Sequence, residues 1–148
     1  MTFTRTNSDN QDFQKLVEAL DIDLKIRDGD DNFFYAQFNK ITAIKHAIVV
    51  YDDDFPVGCG AIKQYSDDTM EIKRMYVLPE KRGHGIAASI LSELEFWAKE
   101  VDYTRCVLET GLKQPEAIAL YKKSGYQIIP NYGQYEGIAN SVCFEKIL

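Results

Sequence analysis

Residues 79–91 read Pro79-Glu80-Lys81-Arg82-Gly83-His84-Gly85-Ile86-Ala87-Ala88-Ser89-Ile90-Leu91. Two glycines flank one histidine, and a run of good helix formers follows. Upstream, residues 69–78 read as a strand. Pro79 ends it, because proline cannot donate to a sheet ladder. Downstream, residues 84–100 read as a helix with Ile86, Ile90, Leu91, Leu94 and Trp97 on its apolar face. The loop between them feeds a helix start, where unpaired N–H groups and a partial positive charge attract anions. Glycine lets the backbone approach an anion closely, and Lys81 and Arg82 add positive charge. The composition suits a phosphate or pyrophosphate. Alone, a Gly-x-Gly helix start is a weak signal, and a plain turn explains it equally well.

Two other phosphate signatures can be compared. A P-loop requires Gly-x-x-x-x-Gly-Lys-Ser/Thr, which is absent. A dinucleotide fingerprint requires Gly-x-Gly-x-x-Gly; Ala88 occupies the third-glycine position, so that match is partial.

Outward from the loop, the chain reads as one mixed α/β domain over residues 1–148. Residues 2–6 form a first strand. Ser8 and Gln11 fit a capping box, and Phe13, Leu16, Val17 and Leu20 follow at helical spacing. Residues 27–31 read as a turn, and 32–40 as a second short helix dense in aromatics. Phe33, Phe34, Tyr35 and Phe38 either pack a core or wall a substrate pocket. Residues 46–51, 57–64 and 69–78 form a strand meander with short turns. Residues 104–109 form a further strand. Pro115 and Gly125 bracket a last helix, and 126–129 and 140–147 are closing strands.

Composition narrows the function. The 148 residues carry a formal net charge of −6, which argues against nucleic acid as a partner and mildly favours small or cationic ones. The opening residues lack a signal-peptide apolar core, and no stretch approaches the ~18 apolar residues of a membrane span. A cytoplasmic protein with no membrane partner is expected. Cys59, Cys106 and Cys143 each sit in an apolar run and read as buried structural residues. The triple Asp at 52–54 reads as a solvated turn rather than a metal site; no metal is expected.

The stretch Arg82-Gly83-His84-Gly85-Ile86-Ala87 fits Gln/Arg-x-x-Gly-x-Gly/Ala, and so resembles the coenzyme A signature of the GNAT superfamily of acyl-CoA-dependent N-acetyltransferases. Met75-Tyr76-Val77-Leu78-Pro79 looks like that family's strand beside the pantetheine arm. Leu120-Tyr121-Lys122-Lys123-Ser124-Gly125-Tyr126 looks like its second motif. Order of elements and length agree over roughly residues 45–148. Two departures stand out. Glu80 lies where a glutamine is common in the other register of the motif. Gln114 stands where the family often has asparagine before the second helix.

The resemblance implies a single-domain GNAT-like fold: a central mixed, mostly antiparallel sheet, flanking helices and two splayed parallel strands, 69–78 and 104–109. It implies acetyl-CoA as co-substrate. The pyrophosphate would lie on the amides of Arg82, Gly83, His84, Gly85, Ile86 and Ala87. The amide of Met75 would polarise the thioester carbonyl, and Tyr76 and Val77 would line the pantetheine, with Gln114 and Ala117 nearby. His84 would matter for its amide, not its imidazole.

The implied reaction is acetyl transfer to an amine. An amine with a pKa near 10.4 is mostly protonated at pH 7, so a general base is useful. Glu71 matches the position of a catalytic glutamate in some members; it also reads as an ion-pair partner of Lys73. Simple alternation places Glu71, Lys73 and Met75 on one face. Glu109 is a second base candidate or a binder of a cationic acceptor, and a water relay is a third option. Tyr121 matches the tyrosine facing the CoA sulfur and is the candidate proton donor; it also reads as a packed helix residue. Residues 25–40, Tyr35 among them, with Glu109 and the loop 130–139, are the acceptor-side candidates. The expected acceptor is a small-molecule primary amine. A non-catalytic acyl-CoA sensor and a protein-lysine acetyltransferase are the alternatives. Dimers are common in the family, so a homodimer is a further expectation from the resemblance.

Overall fold

The computed structural model describes residues 1–29 and 44–148. The helix expected over 32–40, and Tyr35 with it, lie outside the described residues. Seven strands form one sheet in the order β1-β2-β3-β4-β5-β7-β6. They are β1 (Thr2–Thr6), β2 (His46–Asp52), β3 (Phe55–Ser66), β4 (Thr69–Val77), β5 (Arg105–Gly111), β6 (Gln127–Ile129) and β7 (Ser141–Ile147). Helices α1 (Gln11–Asp28), α2 (Ile86–Glu100) and α3 (Pro115–Lys123) and two 3-10 turns, Pro79–Lys81 and Gly133–Tyr135, complete the described elements.

The apolar run of β2 follows from its position. Alternate residues face opposite sides of a strand, and here both sides are covered. Ala47 and Val49 pack with Phe13, Leu16, Val17 and Leu20 of α1. Ile48 and Val50 pack with Ile86, Ile90, Leu91 and Leu94 of α2. In β3, Gly58 and Gly60 permit α2 to lie close. A Cβ on Gly60 would come 2.7 Å from Ile90 Cγ2 and 2.6 Å from Met75 Sδ.

The cap of α1 differs from expectation. Asn10, not Ser8, caps it, with Oδ1 accepting the Phe13 N–H at 2.9 Å. Ser8 instead donates its N–H to Ile44 O. The helix also continues through Arg27 and Asp28, where a turn was expected, and stops at Gly29 with φ 55°. Cys59, Cys106 and Cys143 are buried and free. Burial pushes the Cys59 thiol up to about 12, so it is inert, as read from the sequence.

Two irregularities shape the middle of the sheet. Every pairing is antiparallel except β4–β5, which is parallel and spans only Thr69↔Arg105, Met70↔Cys106 and Glu71↔Val107. Beyond those pairs the strands part, as expected of splayed strands. The second irregularity is a bulge. Ala61 pairs with Lys73 and Cys59 with Tyr76, so Arg74 and Met75 together oppose Gly60. Arg74 takes φ 60°, as the extra residue of a bulge does in bending a strand.

The bulge corrects the face assignment. One inserted residue reverses the alternation that follows it. Glu71 and Lys73 pair with Lys63 and Ala61, and Ala61, with Tyr76, belongs to the α1-side cluster. Met75 packs instead with the α2-side cluster. Met75 therefore does not share a face with Glu71 and Lys73.

Candidate active site

Where β4 and β5 part, a pocket of about 580 Å³ opens. It extends from the turn around Arg82 and Gly85, along β4, to Glu71 and Glu109. Leu24, Arg27 and Asp28 from α1 and Ala117, Leu120 and Tyr121 from α3 also line it.

At one end is the glycine turn. Gly83 and Gly85 have φ of 83° and 80°, conformations that L-residues rarely adopt. A Cβ on either would meet nothing within 4 Å, so the glycines serve conformation and leave open space before the turn. Gly85 caps α2 without a side-chain bond. The first α-helical bond runs from Ser89 N–H to Gly85 O, so the amides of Ile86, Ala87 and Ala88 lie ahead of it, as helix-start donors do. Gly83, Gly85, Ile86 and Ala87 line the pocket; His84 is exposed and does not. The adjacent cations are engaged within the protein. Lys81 Nζ lies 2.9 Å from Asp52 Oδ2. The Arg82 guanidinium donates to Val77 O at 2.9 Å and lies over the Tyr76 ring. Arg82 therefore braces the end of β4.

The side of β4 that faces the gap runs through Met75, Tyr76 and Val77, all of which line the pocket. Gln114, at the start of α3, and Ala117 line it too. The amide side chain of Gln114 makes no capping bond; the Gln114 backbone carbonyl accepts from Ala117 N–H and Ile118 N–H.

Tyr121 serves both of its sequence readings. Its ring packs against Tyr126 and Phe144 in the α2-side core, and it lines the pocket. Burial, and then the charge of Glu109, holds its hydroxyl well above the usual tyrosine range. It is therefore protonated at neutral pH.

The carboxyls differ from each other. Glu71 is buried and committed: the Tyr132 hydroxyl donates to its Oε2 at 2.6 Å, and Lys73 Nζ lies 3.6 Å from Oε1. The ion-pair reading of Glu71 describes its contacts. Glu109 is raised from the ordinary 4.5 to about 7, chiefly by burial. The Ser141 hydroxyl, donating at 2.7 Å, opposes that rise, as does the charge of Lys73. Asp28 and Glu71 reinforce it. A carboxyl that titrates near neutrality inside a pocket is suited to general-base work.

Tyr132 and Tyr135, from the 130–139 loop, and Asp28, from the 25–40 stretch, join this cluster as acceptor-side segments, and Ser141 joins them. Ser141 gave no signal in the sequence, since its role depends on strands meeting.

The Acetyltransferase (GNAT) family profile matches residues 13–126, well over half of the chain. An IAA acetyltransferase of Azospirillum brasilense is 38% identical over 93 residues, covering 62% of this chain and 61% of that protein. The chain spans about half the length of the first curated relatives it matches. A Klebsiella pneumoniae structure named as an acyl-CoA N-acyltransferase aligns with TM-score 0.83 and 30% identity over 99% of this chain and 97% of that one. A PaiA N-acetyltransferase from Thermoplasma acidophilum, solved with coenzyme A, shares the fold at TM-score 0.73, with 17% identity and full coverage of both chains.

Proposed function

The chain belongs to the GNAT family of acetyltransferases, and from that membership we propose that it moves the acetyl group of acetyl-CoA to a primary amine of a small molecule by direct attack in a ternary complex. The residues present fit acetyl-CoA. Open space stands before the Gly83–Gly85 turn, amides ahead of the first helical bond suit a pyrophosphate, and the unpaired reach of β4 beyond Glu71 suits an amide-bearing arm. Acetyl-CoA supplies the activated thioester.

The observation that carries the reading is the meeting, in one pocket, of that amide cradle with the half-buried carboxyl of Glu109, which desolvation pushes up to about 7. Glu109 takes the proton of the incoming ammonium, a task for which Glu71 is less free. Tyr121 supplies a proton on the thiol side. The buried carboxyls Asp28 and Glu71, with the half-buried Glu109 beside them, favour an amine that arrives as a cation. The test is acetyl-CoA-dependent release of free thiol across a panel of diamines, amino acids and lysine peptides. Turnover of small amines is expected. CoA binding without turnover of any amine would favour a sensor, and turnover of peptides alone would favour a protein-lysine acetyltransferase.

A further inference from the structure

Both oxygens of Glu71 are engaged, one by Tyr132 at 2.6 Å and the other by Lys73 at 3.6 Å. Tyr132 is itself clamped edge-on between Tyr65, with centroids 5.0 Å apart, and Tyr135, at 5.8 Å. Asn131 ties the same loop down by donating to Ile138 O and Ser141 O. Glu71 and Lys73 precede the bulge and share one face of β4. A chain of contacts thus runs from a clamped hydroxyl, through Glu71, to the Lys73 ammonium.

The Lys73 side chain lines the pocket and is largely buried, so its charge acts with little screening by solvent. The groups acting on Glu109 from other elements are Asp28 from α1, Ser141 and Cys143 from β7, Tyr121 from α3 and Tyr135 from the turn before β7. From β4 come Glu71 and Lys73. Within that set Lys73 is the cation, and the parallel register that ends at Glu71↔Val107 leads, two residues along each strand, to Lys73 and Glu109, which line the same pocket. Resting on the reading of Glu109 as proton acceptor, we infer that Lys73 is a positioning residue: held by Glu71, and through it by Tyr132, its ammonium keeps the Glu109 carboxyl ionised as the amine approaches. The bulge adds a reason for the placement. A regular strand would continue the face of Lys73 through Met75, whereas the bulge ends that run at Lys73 and turns Met75 to the other layer.

The test follows the Glu109 carboxyl by ¹³C NMR as pH is varied, in the full chain without acceptor. Lys73→Met is expected to raise the proton affinity of Glu109 about threefold or more, because an attractive charge is lost, and Lys73→Arg to restore it. Tyr132→Phe removes one oxygen. It frees Glu71 to draw Lys73 away, so a smaller change in the same direction is expected, vanishing in the Lys73→Met background. The acidic limb of the kcat/KM profile should move with the NMR midpoint. An unmoved midpoint in Lys73→Met overturns the inference, as does an equal Tyr132→Phe effect in both backgrounds. Unimpaired acetyl transfer by Glu109→Gln overturns instead the reading on which it rests.

Discussion

In the proposed mechanism Glu109 and Tyr121 divide the chemistry because burial raises two acids that start from different values. Desolvation disfavours the charged form of both. Tyr121 stays protonated, the form the proposed donor needs. Glu109 is brought toward the neutral range, where the proposed base would accept a proton. Tyr121→Phe should lower kcat on the order of 100-fold while CoA affinity, measured by calorimetry, stays nearly unchanged; a wild-type kcat would remove Tyr121 from the mechanism. Glu109 also has a cost in stability. Its folded value, about 7, lies above the ordinary 4.5. The folded state is therefore favoured in acid and loses stability as pH rises between those values. Glu109→Gln keeps an acceptor for Ser141 but has no charge to bury. It should be more stable than wild type at pH 8 by roughly 1–3 kcal/mol, with little difference at pH 4, while acetyl transfer falls. Denaturant midpoints at the two pH values check this.

At the scale of elements, the contact of α2 with the sheet sets where the amide cradle lies. Gly60 permits that contact, since a Cβ there would lie within 3.0 Å of Met75, Ile90 and Leu94. Gly60→Ala should destabilise the fold by about 1–3 kcal/mol through overpacking, measured by chemical denaturation. CoA affinity should fall with it, because the α2 start and Met75 both move. The β4 bulge is the other governing element. It puts the side chains of Glu71 and Lys73 on one face of the strand and that of Met75 on the other.

Across the whole molecule, the sheet is joined at its middle by three parallel register pairs between β4 and β5. A ligand lying along the gap and reaching the α2 start would link the two halves. CoA at 100 times its Kd should add about 2.7 kcal/mol of stability by linkage, seen as a rise in Tm. Gly85→Asp tests the anchor. Space exists for the side chain, and aspartate tolerates the left-handed conformation better than most residues, so the fold should persist. The added negative charge would oppose a pyrophosphate, and the CoA-induced rise in Tm should largely disappear. An unchanged rise would place the anion elsewhere.

Much of this architecture is written locally. Pro79 and the two glycines mark the strand end and helix start, since those conformations are set by the residues that adopt them. Pro115 and Gly125 bracket α3 for the same reason. The spacing of Ile86, Ile90, Leu91 and Leu94 names the buried face of α2. The places where sequence reasoning fell short are those that depend on partners. Asn10 caps α1, and the Ser8 backbone N–H pairs instead with Ile44 O from a remote segment. Met75 changes face because Gly60 on a neighbouring strand has two residues opposite it. The proton affinity of Glu109 is set first by burial and then by Ser141, Asp28 and Lys73, from three other elements. The sequence by itself determined the elements, the glycine cradle and the family resemblance, because these rest on short-range sterics and spacing. Only the tertiary structure decided which carboxyl is free to titrate near neutrality, because burial and charge–charge distance belong to residues brought together from remote parts of the chain.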